Sequence, residues 1–205
     1  YAPGGDGPWT YGSVSRQGIN NLVLHDFDGD GKADVFTTQN GEWRVVYGAS
    51  GSWRRLQSSA VELENLRFGD FDGDGKTDIF SANGSVWRVS YGGTGSWQTL
   101  RNATERVNQL VIGDFNGDGK ADVFTATGSA WRVSYGGTES WQTLRSTSER
   151  LDQLAFGDFD GDGKTDVFTT RNGQWLVSYG GTSSWQKLND SNIGLSQLRF
   201  ADLNG

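Results

Sequence analysis

The chain has 205 residues, of which 34% are apolar, 31 are glycine and none is cysteine, and its formal net charge is −7. This length and composition can bury a core and predict an all-β protein with many turns. They exclude a disulfide framework and thiol chemistry, and because no apolar run is long enough to cross a membrane, we expect no membrane insertion.

A nine-residue stretch recurs every 44 residues along the chain. Complete copies begin at Asp26, Asp70, Asp114 and Asp158, and a fifth is cut at 202–205. The segment 1–22 is interpreted as the end of a preceding repeat, because its GGDGPW lies one period before the GASGSW at 48–53. The repeats therefore start near residues 22, 66, 110, 154 and 198.

Each repeat is predicted to contain four short strands, because β-branched and aromatic runs alternate with Gly-bearing turns. A period of 40–45 residues with four strands is typical of a propeller blade. The predicted fold is a β-propeller, or a propeller segment, over residues 1–205, with four full blades and two partial ends. A β-solenoid is the alternative, but its repeats are shorter. In the second repeat we predict strands at 66–71, 78–82, 86–91 and 97–101.

Closure of the blade array has two solutions, because both ends of the chain cut a repeat. The chain is either a segment of a longer array or completes itself by self-association through its cut blade edges. We favour the segment, since an open sheet edge would otherwise expose unpaired strands.

The nine-residue stretch carries oxygen donors at fixed positions. Positions 1, 3, 5 and 9 hold Asp or Asn, and the backbone carbonyl of a Lys at position 7 adds another oxygen. Ca²⁺ takes six to eight oxygens at about 2.3–2.6 Å, whereas Mg²⁺ prefers a strict octahedron. We therefore predict about one Ca²⁺ per complete repeat. The predicted ligands are Asp26, Asp28, Asp30, Lys32 and Asp34; Asp70, Asp72, Asp74, Lys76 and Asp78; Asp114, Asn116, Asp118, Lys120 and Asp122; and Asp158, Asp160, Asp162, Lys164 and Asp166.

Position 12 distinguishes these stretches from an EF-hand, which needs a bidentate Glu there. The chain has Thr37, Ser81, Thr125 and Thr169 instead, so the Asp at position 9 is expected to close the site. An Asp/Gly turn without metal is the alternative. Four copies of one donor pattern favour the metal site.

The acidic charge is concentrated in these stretches, which hold fifteen of the 25 acidic residues. Four Ca²⁺ ions would add eight positive charges and turn the net charge of −7 into +1. No concentrated basic face is then expected, which argues against a nucleic-acid partner. Because free Ca²⁺ is abundant outside cells, and weak calcium modules are extracellular, we expect a secreted protein.

Three series of aromatic residues recur with the same period, and each has two interpretations. Repeated large side chains suit packing between blades, which we favour. The alternative is a set of sugar-stacking platforms beside Gln98, Gln142 and Gln186, with one site per blade. The series are Trp43, Trp87, Trp131 and Trp175; Trp9, Trp53, Trp97, Trp141 and Trp185; and Tyr47, Tyr91, Tyr135 and Tyr179.

The sequence supplies little for catalysis. His25 is the single histidine and has no evident partner, and there is no Gly-x-Ser-x-Gly elbow. Glu105-Arg106 and Glu149-Arg150 recur one period apart, which favours structural surface pairs. Paired carboxylates of a glycosidase stay open as an alternative. We expect a non-enzyme, and if the intact protein is an enzyme, its active site lies in another part.

The FGDF at 68–71 and at 156–159, each followed by DGDGK-x-D, resembles the FG-GAP or VCBS repeat β-propellers of integrin α-subunit heads, fungal propeller lectins and secreted bacterial proteins. The resemblance implies a calcium-stabilised propeller, commonly seven-bladed, that recognises glycans or proteins. His25 and Ala201 depart from the Gly of this pattern. We predict a secreted binding module whose partner is a glycan, with an extracellular protein, or a scaffold role in a larger secreted enzyme, as alternatives.

Overall fold

Sixteen strands form four antiparallel sheets in the computed structural model, which describes residues 18–200. Within that range there is no α-helix, and the predicted all-β propeller fold is confirmed. Blade 1 has β1 (Val23–His25), β2 (Asp34–Gln39), β3 (Glu42–Val46) and β4 (Arg54–Ser58); blade 2 has β5 (Arg67–Gly69), β6 (Asp78–Ala82), β7 (Val86–Ser90) and β8 (Gln98–Asn102); blade 3 has β9 (Val111–Gly113), β10 (Asp122–Ala126), β11 (Ala130–Ser134) and β12 (Gln142–Ser146); and blade 4 has β13 (Ala155–Gly157), β14 (Asp166–Arg171), β15 (Gln174–Ser178) and β16 (Gln186–Asp190).

Within each blade the strands pair in sequence order. A three-residue 3-10 turn precedes every first strand, and a second follows every third strand. The first set is Ile19–Asn21, Leu63–Asn65, Val107–Gln109 and Leu151–Gln153, with Leu195–Gln197 after blade 4; the second set is Tyr47–Ala49, Tyr91–Gly93, Tyr135–Gly137 and Tyr179–Gly181.

The strands of blade 2 test the predicted bounds. The range predicted for the second strand, 78–82, is confirmed, and the fourth strand is shifted by one residue. The first strand ends at Gly69 instead of Phe71. The corresponding residue of blade 1, Phe27, explains the shorter strand, because its N–H donates to the side-chain carboxylate of Asp34 and not to a backbone carbonyl of the neighbouring strand. The third strand ends at Ser90, where the 3-10 turn begins.

The chain divides into two compact units, one of residues 1–70 and 74–103 and the other of residues 71–73 and 104–205. The core of each is formed by the Phe of the second strand, the Trp of the third and apolar residues of the following blade. These side chains are completely buried at Phe36 and Trp43 in the first unit and at Phe124 and Trp131 in the second. Blades therefore pack face to face within each unit. That residues 1–205 form a single propeller stays a prediction.

Several predicted features lie outside the described residues. These are most of the N-terminal segment, including Trp9, and the cut fifth copy with Ala201. In residues 18–200 no helix is long and apolar enough to cross a membrane.

Candidate functional site

The four nine-residue stretches, called loops 1 to 4 from here on, connect the first and second strands of their blades. Each loop folds around the carboxylate at position 1. In loop 1, Asp26 Oδ1 accepts the N–H of Gly29 at 2.7 Å and Oδ2 accepts the N–H of Gly31 at 2.8 Å. Both glycines have positive φ, +81° and +80°, which disfavours a side chain there. Asp114 and Asp158 make the same pair of bonds.

Three of the loops gather carboxylates closely enough to hold one ion. In each of them the oxygens at positions 1, 3 and 9 lie within 4.8 Å of one another. The position-9 carboxylate is buried, whereas the position-3 carboxylate is exposed. The clusters are Asp26, Asp28 and Asp34; Asp70, Asp72 and Asp78; and Asp158, Asp160 and Asp166.

Loop 3 has an amide at position 3. Asn116 Oδ1 accepts the N–H of Asp118 at 2.9 Å, and its Nδ2 donates to Asp118 Oδ2 at 3.1 Å. The loop keeps the fold of the others, with Asp122 buried at position 9. Loop 3 therefore offers an ion one negative charge fewer than each of the other three loops.

Position 5 differs from the other Asp positions. In loop 1, Asp30 is hydrogen-bonded by the side chain and the backbone N–H of Lys32, which hold its pKa below the usual range. Asp74 and Asp162 make the same backbone bond and pair with their lysines at 3.9 Å and 3.3 Å. The position-5 carboxylates lie outside the three clusters. They stay predicted ligands, as do the carbonyls at position 7.

The position-9 carboxylate connects its loop to the rest of the blade. Asp122 Oδ2 accepts the N–H of Phe115 at 2.9 Å, and Oδ1 accepts the N–H of Gly136, after the third strand, at 2.8 Å. The pKa of the Asp122 carboxyl is raised to about 6, mainly by burial; the two backbone hydrogen bonds oppose the rise, and the charges of Asp118 and Asp114 add to it. This second role was not predicted from the sequence, although the Gly that follows the Tyr after every third strand is its recurring signal.

These loops fit a hard divalent cation. The donors are carboxylate oxygens, which Ca²⁺ prefers, and they repel one another unless a cation is bound. Burial also raises the pKa of Asp166, with the charges of Asp160 and Asp162 adding to it. A bound cation would stabilise the charged form of the whole set.

Four Trp residues form contacts between blades. Trp97 of blade 2 meets Trp43 of blade 1 edge to face, with ring centroids 5.3 Å apart, and Trp185 meets Trp131 in the same way at 5.4 Å. The Arg88 guanidinium lies 4.4 Å from the centre of the Trp97 ring. Packing between blades, the favoured interpretation, is thus observed for these pairs. It also limits the indole surface of Trp97 that a sugar could contact.

The candidate catalytic residues have structural partners. His25 stacks on Phe68 at 5.3 Å, and burial lowers its pKa. Glu105 accepts the indole N–H of Trp141 at 3.0 Å. Glu149 forms an ion pair with Arg171 at 3.1 Å, which is a structural contact, although its partner is Arg171 and not the neighbouring Arg150. Sequence proximity does not identify the partner of Glu149, because Arg171 comes from the second strand of the following blade.

A cleft of about 630 Å³ lies between blades 1 and 2. Arg67 is half buried there, its NH1 donates to the Leu66 carbonyl at 2.7 Å, and it makes no ion pair with the described residues. Sequence reasoning missed this cleft, although Arg67 departs from the apolar residue, Val23 or Val111, at the same repeat position. The polar lining residues are Asn20, Asn21, Thr38, Glu62, Glu64 and Arg67.

The repeats match a known family. A family model described as FG-GAP-like repeat covers residues 26–81, 70–125 and 114–169. The chain belongs to the FG-GAP-like repeat family. Each match runs from position 1 of one loop to position 12 of the next. Each match thus contains two successive loops.

Among solved structures, the chain resembles one chain of the Photorhabdus luminescens Tc holotoxin pore, with a TM-score of 0.54 and 18% identity. The likeness covers 85% of this chain but 9% of that chain. At this identity it shows the propeller fold alone. No curated protein sequence matches the chain.

Proposed function

We propose that this FG-GAP-like repeat chain is a calcium-stabilised binding module of a secreted protein, that it has no catalytic activity of its own, and that its ligand is a carbohydrate. The calcium part depends on the clustered carboxylates, such as Asp26, Asp28 and Asp34. Bound Ca²⁺ would supply charge neutralisation and a rigid connection between the first two strands of a blade. The secreted location follows from the free Ca²⁺ that such exposed loops need.

The observation that carries the ligand part is the cleft between blades 1 and 2. It offers amide, hydroxyl, carboxylate and guanidinium groups beside the half-buried ring of Phe68. Its volume of about 630 Å³ lies within the range of small-molecule sites, roughly 300–1,000 Å³. Sugar hydroxyls both donate and accept, so a lining that mixes donors and acceptors suits them better than it suits an apolar ligand.

Arg67 is the side chain to test first. Its guanidinium has five N–H donors, and one terminal nitrogen is positioned by the Leu66 carbonyl. A hydroxyl or carboxylate oxygen of a sugar can accept from the donors that remain. Arg199 is a matched control, since its NH1 donates to the Leu198 carbonyl at the same 2.7 Å while Arg199 does not line the cleft.

Thermal melts with EDTA, with Ca²⁺ and with Ca²⁺ plus simple sugars test both parts of the proposal. EDTA should lower Tm and Ca²⁺ should restore it, since an ion at about 100 times its Kd contributes about 2.7 kcal/mol per site. One sugar class should then raise Tm further and bind saturably on a glycan array. Arg67→Ala should abolish that binding, and Arg199→Ala should retain it.

The alternatives give different results. Saturable binding to an extracellular protein, with no glycan bound, would replace the carbohydrate proposal by a protein-adhesion surface. Binding to neither would favour a scaffold segment of a larger protein, such as a secreted enzyme. The Tc toxin chain is a specific reason to keep the scaffold candidate, because there a similar fold forms 9% of a much longer chain. If EDTA does not change Tm, the calcium proposal itself is overturned.

A further inference from the structure

Adjacent loops are joined by a backbone hydrogen bond within each unit. The N–H of Thr77 in loop 2 donates to the Asp26 carbonyl of loop 1 at 2.8 Å. In the other unit, the N–H of Thr165 in loop 4 donates to the Asp114 carbonyl of loop 3 at 2.5 Å. Both acceptors are at position 1 and both donors at position 8, so the same link occurs twice.

A side-chain contact accompanies each link. A Cβ added to Gly29 of loop 1 would lie 3.2 Å from Cγ of Lys76 in loop 2, and one added to Gly117 of loop 3 would lie 3.0 Å from Cε of Lys164 in loop 4. The lysine stem of one loop therefore packs directly on the backbone of the preceding loop. Since Gly29 and Gly117 are at position 4, the contact falls between the predicted ligands at positions 3 and 5.

We infer that Ca²⁺ binding in loop 1 raises the Ca²⁺ affinity of loop 2, and that Ca²⁺ binding in loop 3 raises the affinity of loop 4, with Lys76–Thr77 and Lys164–Thr165 as the coupling segments. The inference rests on the proposed calcium function. It goes beyond that function because independent calcium sites would stabilise the blades equally well.

The peptide group between Lys76 and Thr77 carries the coupling in the first unit. Its oxygen is a predicted calcium ligand of loop 2, and its N–H is bonded to Asp26, the first residue of loop 1. A cation at the oxygen polarises the peptide and strengthens the N–H as a donor. An ordered loop 1 in turn presents a fixed acceptor and a fixed surface, so loop 2 loses less conformational entropy when it binds its ion.

NMR titration of the folded chain with Ca²⁺ measures the coupling one loop at a time. The Gly31, Gly75 and Gly163 N–H groups, at position 6 of loops 1, 2 and 4, all donate to position-1 carboxylates and report on their own loops. Asp28→Ala removes a carboxylate of loop 1. The Gly75 midpoint should then rise roughly fivefold or more, which is the usual lower range of coupling between sites. The Gly163 midpoint serves as a reference, and the Gly75 midpoint should rise by the larger factor, because Lys76 contacts loop 1 directly.

Reciprocity sharpens the test, because linkage requires equal coupling in both directions. Asp72→Ala, in loop 2, should raise the Gly31 midpoint by the same factor. Lys76→Ala removes no predicted ligand and should also raise the Gly31 midpoint, through the lost contact with Gly29. Lys187→Ala is its control, since Lys187 pairs with Asp190 in the last strand of blade 4, outside every loop, and should leave the Gly31 midpoint unchanged.

The outcomes separate the two claims. If no glycine signal of the wild type responds to Ca²⁺, the calcium proposal is overturned and the coupling with it. If all three respond but Asp28→Ala and Lys76→Ala leave the midpoint of the adjacent loop unchanged, the coupling alone is overturned. Should Asp28→Ala not fold, Lys76→Ala decides the question, because it alters no carboxylate.

Discussion

Asp122 and Gly136 are joined by a hydrogen bond of 2.8 Å from the Gly136 N–H to Asp122 Oδ1. They are 14 residues apart in the chain and meet at the open end of a hairpin in blade 3, where its second strand begins and its third strand has ended. The other carboxylate oxygen holds the N–H of Phe115 in loop 3. One buried side chain therefore connects a candidate metal loop to the sheet beside it.

This dual role predicts different effects for two acidic residues of one loop. Asp122→Ala should lower the free energy of unfolding by about 2–4 kcal/mol even in EDTA, because two backbone N–H groups lose their acceptor, and by more in Ca²⁺, because a predicted ligand is lost as well. Asp118→Ala, at exposed position 5, should have little effect in EDTA and an effect in Ca²⁺ only. Urea unfolding under both conditions measures this. Equal behaviour of the two variants would contradict the structural role of Asp122.

Two glycines of loop 1 form a second matched pair. Gly29 and Gly31 both have a φ near +80°, but an added Cβ meets Lys76 only at Gly29. Each substitution by Ala should cost about 1–2 kcal/mol of stability from the left-handed backbone, and Gly29→Ala should cost more because of the contact. Adding Lys76→Ala should remove the excess. A double-mutant cycle from urea unfolding provides the measurement, and equal costs for both glycines would show that the contact carries no energy.

The indole N–H groups of Trp43 and Trp131 give a third comparison. Both rings are completely buried, but Trp43 Nε1 donates to the Val61 carbonyl at 3.1 Å, whereas Trp131 Nε1 has no hydrogen-bond partner in residues 18–200. Replacement by Phe removes similar volume at both sites. Trp43→Phe should therefore destabilise by about 1 kcal/mol more than Trp131→Phe, through the lost hydrogen bond. A smaller loss at Trp43 in denaturant titrations would argue against this assignment.

The edge-to-face contact of Trp97 with Trp43 predicts an effect across a blade boundary. Trp97→Ala should lower the free energy of unfolding by about 2–3 kcal/mol, less than for a completely buried aromatic because Trp97 is half buried. Trp97→Phe should retain part of the contact and lose less. Calorimetric melts of both variants measure the difference, and a Trp97→Ala variant as stable as the wild type would remove the packing role.

The all-β class, the four blades and the position of every loop follow from the sequence, because the same strand and turn residues recur every 44 residues. Alternating strand residues and the glycines of tight loops determine the backbone conformation of their near neighbours in the chain. The bounds predicted for the second strand of blade 2 are therefore correct at both ends. The clustering of Asp26, Asp28 and Asp34 is local in the same sense, since one loop brings the three together.

Contacts between distant residues were decided by the tertiary structure. Four features join segments that are separated in the chain by a hairpin or a blade. They are the hydrogen bond between Gly136 and Asp122, the hydrogen bond between Thr77 and Asp26, the ion pair of Glu149 with Arg171, and the cleft beside Arg67. Periodicity marks equivalent positions but does not say which of them meet, because that depends on how strands pair and how each blade packs on the next. The packing of the blades thus determines which of the repeated residues act together.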